Sequence, residues 1–224
     1  MNNRIRSAVK LDFYTGRSSL KTTYVALLII AIVLGFSTRL PLFSVLFTMV
    51  FAVFSAGTVF SAHEKAGSEK LYGILPLKKS EMITGRYLYA LLIGVIGLVI
   101  AFVLDIVITL VLRQTLDTAS VVASLSIGFA YFGFAVGVSY PIYLKFSFAK
   151  AYVFTMLPMY LIIILIILVM RISSRRGVAN PFAGLLQFFT DHAVLIPVLG
   201  AVVGLAFLAV SAAIANLVYT RKEI

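Results

Sequence analysis

The chain has no cysteine and no tryptophan, only two histidines, and only eight acidic residues among 224. The missing cysteine excludes disulfides and any thiolate metal site, and leaves the redox compartment open. His63 and His192 are too few and too far apart in sequence to form a recognisable metal motif, so no metal or resident cofactor is expected on this chain. Phosphate-gripping sequence of the form Gly-x-x-x-x-Gly-Lys-Ser/Thr is also missing, which removes the usual backbone cradle for a nucleotide. No constellation of His, Asp, Glu or Ser suited to catalysis collects in the sequence, so an enzyme is not expected.

What the chain has in abundance is apolar side chain. It is 62% hydrophobic and 12% charged, with a mean hydropathy of +1.08. A water-soluble domain with that balance has too little polar surface to cover itself, so the class is an all-α integral membrane protein. A hydrocarbon core about 30 Å thick needs roughly 20 apolar residues per helical crossing. Six stretches qualify, at approximately 22–38, 42–62, 86–112, 121–143, 151–170 and 193–219, within one membrane domain covering 1–224. Pro158 and Pro197 fall inside the fifth and sixth and are expected to kink them.

The net charge of +11 does not point to nucleic acid, because the basic residues border the apolar stretches instead of forming a basic domain. Anionic lipid headgroups are the expected counter-charge. With both termini on one side, that side carries fourteen of the nineteen Lys and Arg residues, and the other carries Arg39, Arg113, Arg171, Arg175 and Arg176. The asymmetry puts both termini in the cytoplasm. Residues before the first span are basic, with Ile5, Val9, Leu11 and Phe13 interspersed. They read either as a short helix in the inner headgroup layer or as a basic tail.

One charged island interrupts the apolar pattern. From Ser61 to Leu92 it holds three of the eight acids and five of the basic residues. Gly67–Ser68 offers a break and a cap, and the stretch from Glu69 to Leu75 puts Leu71, Tyr72 and Leu75 on one helical face. Pro76 ends that stretch, and Ser80–Glu81 opens a helix running into the third span. A plain connector between two spans needs only a few residues. This one is built to touch a partner.

The island, "HEKAGSEKLYGILPLKKSEMITGRYLYALL", resembles the cytoplasmic loop of six-span permeases of the ABC type-2 exporter class, closest to the bacterial peptide-exporter and bacteriocin-immunity branch. The likeness rests on Glu64, Lys65 and Gly67, on Leu75 and Pro76, on Lys78 or Lys79, on Glu81, and on Arg86 with Tyr87. It implies an N-terminal interfacial helix, six spans in the bacterial cell membrane, and a short coupling helix between spans two and three. That helix would dock a separate ABC ATP-binding subunit through Glu64, Lys65, Glu69, Leu71, Tyr72, Leu75 and Glu81. ATP and magnesium would then sit on the partner, and a second permease chain, identical or paralogous, would complete the path. The cargo would be amphipathic or hydrophobic, with peptide as one class. The rival classes are a secondary transporter, which calls for paired intramembrane carboxylates or inverted repeats, and a non-transporting immunity or scaffold protein.

Among single residues, Asp105 lies within the third span, and a carboxylate at that depth is costly. Either it belongs to a gate or path with Arg113 or with Arg171, Arg175 and Arg176, or it is an acid near the outer headgroups bonded to Ser or Thr. Gly133-x-x-x-Gly137 and Gly200-x-x-x-Gly204 permit close helix packing. The aromatics of span four (Phe129, Tyr131, Phe132, Phe134, Tyr140, Tyr143) line a path or face lipid. Residues 180–192 read as an amphipathic outer helix, lying at the interface or re-entrant.

Overall fold

A computed structural model describes residues 5–16, 25, 29, 32–33, 41–65, 79–113, 118–146, 148–157, 160–161, 164 and 195–220. Every regular element among them is helical: α1 (5–16), α2 (Pro41–Lys65), α3 (Lys79–Val111), α4 (Thr118–Lys145), α5 (Phe148–Thr155) and α6 (Leu195–Thr220). Four of these, α2, α3, α4 and α6, are long and apolar enough to cross a membrane. They correspond to the second, third, fourth and sixth expected spans. Of the first and fifth, residues 25, 29, 32, 33, 157, 160, 161 and 164 are helical, and most of the rest lies outside the described residues. So do Glu69, Leu71, Tyr72 and Leu75 of the expected coupling helix, the arginines at 171, 175 and 176, Pro158, and the segment 180–192.

Close contacts fix the direction of each helix. Ser44 near the start of α2 meets Asp105 near the end of α3, and Gly97 of α3 lies against Ala52 of α2, so the two are antiparallel. Gly128 of α4 sits on Val45 and Gly57 of α2 sits under Tyr143, which makes α2 and α4 parallel. Gly200 of α6 faces Ser126, and Gly204 faces Gly133, so α4 and α6 are parallel as well. One end of the bundle therefore gathers Lys65, Lys79, Lys145 and the last turn of α6. The other gathers Pro41, Arg113, Thr118 and Leu195. We call these the inner and outer ends, following the charge asymmetry.

α1 joins the inner end. Ala8 is buried against Gly85 of α3, where an added Cβ would lie 2.8 Å from the Ala8 methyl. Leu11, Phe13 and Tyr14 point outward from the same short helix. At 33 residues, α3 measures about 50 Å and exceeds the hydrocarbon thickness, so its first turns extend past the apolar layer.

The interior is a layer of Val45, Met49, Ile93, Phe132, Val136 and Tyr140 between α2, α3 and α4. Phe132 and Tyr140, expected either to line a path or to face lipid, are instead in this core. The cause is small residues opposite them: Gly94 leaves room for the Phe132 ring. Outside, Val95, Val99, Phe102 and Leu110 of α3 and Val198, Val202, Val210 and Leu217 of α6 stay exposed. Rows of this kind would be unfavourable in water and match hydrocarbon.

Candidate functional site

Two buried polar groupings interrupt the apolar interior, one near each end of the bundle. The inner one starts with Pro141, which lies inside α4. A residue at 141 would normally donate its N–H to the carbonyl of Gly137, and proline has none. The freed Gly137 oxygen accepts from Ser211 Oγ of α6 at 2.7 Å. Tyr87 OH of α3 lies 2.6 Å from the same Ser211 oxygen. Ser211 has one hydroxyl proton and gives it to Gly137, so the proton between Tyr87 and Ser211 belongs to Tyr87. The order is Tyr87 O–H to Ser211 Oγ–H to Gly137 C=O, and three helices are tied with every group satisfied. Around the chain of hydroxyls, Tyr140 packs edge-on against Tyr87 at 5.1 Å between centroids and donates to the Ala56 carbonyl of α2 at 3.1 Å.

The same end holds more polar contacts. Asp12 Oδ1 of α1 and His63 Nε2 of α2 are 2.9 Å apart and buried, pinning the N-terminal helix to the bundle. The Arg86 guanidinium lies 4.7 Å above the Phe60 ring, a cation–π arrangement suited to a cation at the edge of an apolar core. Of the residues expected to meet an ATP-binding subunit, Glu64 and Lys65 are exposed. The Glu64 carboxylate accepts the backbone N–H of Phe148, the first residue of α5. It thereby satisfies a donor that the helix itself leaves open. Glu81 sits in the first turn of α3, where an acid complements the helix dipole.

Between α2 and α5 a cavity of about 330 Å³ is lined by Phe51, Phe54, Tyr143, Phe148 and Tyr152, with Gly57 and Thr58. Tyr143 is the member of the span-four aromatic set that reaches it.

Near the outer end, Asp105 is 3% exposed. Ser44 Oγ donates to its Oδ1, while Oδ2 is buried without a hydrogen-bond partner among the described residues. Thr109 and Thr48, one turn further along α3 and α2, spend their hydroxyls on the Asp105 and Ser44 carbonyls. Arg113 is exposed in a left-handed turn, φ 51°, and makes no ion pair with Asp105 among the described residues. Eight residues separate them, about 12 Å along a helix axis.

The four glycines singled out by spacing are brought together in one seam. An added Cβ at Gly133 would lie 2.3 Å from the Gly204 carbonyl oxygen, and one at Gly200 would lie 2.6 Å from that of Ser126. Gly137 sits against the Phe207 carbonyl, 3.3 Å away by the same measure. The close approach is within one chain, between α4 and α6, and it brings Ser211 within reach of Gly137.

Ser44 fills the expected place of a Ser or Thr bonded to Asp105, whereas the sequence pattern does not mark Ser211 and Pro141 as site residues. The only signal for either of them was the spacing Gly137-x-x-x-Pro141, which marks a carbonyl without its helical donor.

Compared with family models, residues 9–220 match the ABC-2 family transporter protein. The chain belongs to the ABC-2 transporter family. No curated protein matches it. As a family member it is a multi-pass membrane component of ABC transport, a role that does not itself call for bond chemistry.

Proposed function

We propose that this ABC-2 chain is the permease half of a bacterial ATP-driven exporter, worked by a separate ATP-binding subunit that carries ATP and magnesium. The observation that carries the reading is the family match along nearly the whole chain, in 224 residues that hold no phosphate loop. The ATPase docks on the segment from Glu64 to Glu81, with Leu71, Tyr72 and Leu75 filling a groove on its surface. Supporting this, α1, α2, α3 and α5 all present ends at the side where that segment must join α2 to α3.

The chain crosses the membrane six times, a reading that the directions of the packed helices support. Residues 17–40 supply the first crossing, a reading supported by α1 packing at the inner end and α2 starting at the outer end. Residues 146–194 supply the return crossing, a reading supported by α4 and α6 running parallel. Both termini are then cytoplasmic. α1 lies at the inner headgroups with Leu11, Phe13 and Tyr14 toward lipid. Two chains face each other across the path, because closed symmetric assembly is the usual way for such subunits to enclose one. The cargo is amphipathic or hydrophobic. ATP binding by the partner shifts the population of inward- and outward-facing states; the permease supplies the two states. Asp105 belongs to the outer gate, with an arginine among Arg171, Arg175 and Arg176 as its charged partner.

Tagged chain purified from its own membrane should bring an ABC ATP-binding subunit with it. Polar replacement of Leu71, Tyr72 and Leu75 together should release that subunit and leave membrane insertion intact, since losing an aromatic and two leucines removes on the order of several kcal/mol of contact. Recovery of intact chain with no ATPase would favour a secondary transporter or an immunity protein.

A further inference from the structure

We propose that Tyr87 and Ser211 are the coupling residues of this permease, binding the inner ends of α3, α4 and α6 into one body that moves as a unit when the ATPase acts. The inference rests on the exporter reading for the source of the movement, and on the structure for how it is passed on. Tyr87 lies eight residues into α3, about 12 Å from the end that continues the docking segment. Its hydroxyl is the only one of its atoms that makes a directed bond to α6 among the described residues.

The hydroxyl chain behaves as all or nothing. Pro141 deprives the Gly137 carbonyl of its helical donor, so Ser211 must supply one. Ser211 then has no proton left for Tyr87 and can only accept from it. Rotation or sliding of α3 relative to α6 would strand Tyr87 OH. Parting of α6 from α4 would strand the Gly137 oxygen. Tyr87 and Ser211 are buried and the Gly137 contact is half-buried between helices, so a lost partner is poorly replaced by water. The glycine seam enforces the second contact, because α6 approaches α4 closely enough for backbone carbonyls to touch Cα positions. A pull on α3 is therefore delivered to α4 and α6 together, and the outer half of α3, which makes no hydrogen bond to α4 or α6 among the described residues, is left to swing against them.

The test separates coupling from simple stability. A triple variant, Tyr87→Phe with Pro141→Ala and Ser211→Ala, leaves no polar group stranded. The alanine at 141 restores the N–H for Gly137, and the other two changes delete both hydroxyls. Spin labels on Thr84→Cys and Leu217→Cys, exposed inner positions on α3 and α6, report the spacing of the two helices in the complex with its ATPase, with and without trapped nucleotide. The expected result is an unchanged spacing in the parent. In the triple variant, nucleotide should shift or broaden it, while the melting temperature stays near the parent's.

Ser211→Thr against Ser211→Val gives the same contrast at one position: threonine keeps the hydroxyl and the fixed spacing, and valine loses both. A spacing that stays fixed in the triple and valine variants, or that changes with nucleotide in the parent, overturns the proposal. If no ATPase accompanies the parent chain, the exporter reading has failed. If the ATPase accompanies every variant and all respond alike, only the coupling role has failed.

Discussion

The hydroxyl chain near the inner end and Asp105 near the outer end have their hydrogen bonds met differently. At the inner end, Tyr87, Ser211 and the Gly137 carbonyl form a closed sequence of donors and acceptors across three helices. Asp12–His63 and Tyr140–Ala56 add two further ties there. At the outer end, one serine holds one oxygen of Asp105, and the second oxygen has no partner among the described residues. Hydroxyl-to-carbonyl bonds between neutral groups hold a membrane bundle firmly at small desolvation cost. A carboxylate with half its valence unmet is costly to keep unless another state completes it. The inner hydroxyl chain is suited to receiving force and the half-bonded Asp105 to changing partners.

The largest expected effect comes from forcing apart the seam that presents Ser211 to Gly137. Gly133→Ala places a methyl 2.3 Å from the Gly204 oxygen, which α6 can relieve only by moving away. The cost should be about 1–3 kcal/mol or more, read as a lower melting temperature in lipid or detergent. Gly57→Ala, where the new Cβ meets the Tyr143 ring at 3.4 Å, should cost far less and serves as the control.

At the outer end, Ser44→Ala deprives Asp105 of its described donor and should destabilise by about 1–3 kcal/mol. Asp105→Asn should be milder in stability, about 1 kcal/mol or less, because the amide oxygen still accepts from Ser44. If the charge itself matters to the gate, the asparagine variant should nonetheless impair ATP-driven export with its melting temperature nearly unchanged. Equal damage to both from the two variants would make Asp105 a purely structural acid.

Smallest of all is the coupling between Asp105 and the outer arginines. Double-mutant cycles against Arg171, Arg175 and Arg176 should show about 0.5 kcal/mol or more for the true partner, while Arg113 should be additive. Additivity for all four would leave the second carboxylate oxygen facing something other than an arginine.

Much of this architecture was legible in the sequence because length and apolarity alone decide whether a helix crosses a bilayer. Spans two, three, four and six appear within a few residues of where apolar runs put them. α3 starts at Lys79, at the helix opening expected from Ser80 and Glu81, seven residues ahead of the apolar run that begins at Arg86. The glycine spacing marks four residues that lie where α4 and α6 approach closely, since a seam needs small residues one turn apart on each partner. Their partners across the seam were not legible: the spacing fits a dimer contact as well as an internal one.

The hydroxyls were harder still. Ser44 and Ser211 are single small residues in apolar runs, and nothing in composition separates a serine that bridges two helices from one that bonds back to its own turn, as Thr109 does. Their roles depend on rotational register between helices, which the linear sequence does not carry. Pro141 was the available clue, and its meaning lies in the carbonyl four residues earlier. Glu64 had looked like a docking charge, and it also caps α5; one acid at a helix junction serves either purpose at the same spacing.

The most direct measurement uses one pair of helices at both ends. Because the chain is free of cysteine, labels on Leu110→Cys and Leu195→Cys report the outer spacing of α3 and α6, and labels on Thr84→Cys and Leu217→Cys report the inner one. All four positions are exposed. In the complex with the ATP-binding subunit, trapped nucleotide should change the outer spacing and leave the inner one fixed. The purified chain without that subunit should respond to ATP at neither end. An outer spacing that ignores nucleotide in the complex, or a chain that answers ATP by itself, would contradict a permease moved from its inner end by a separate engine.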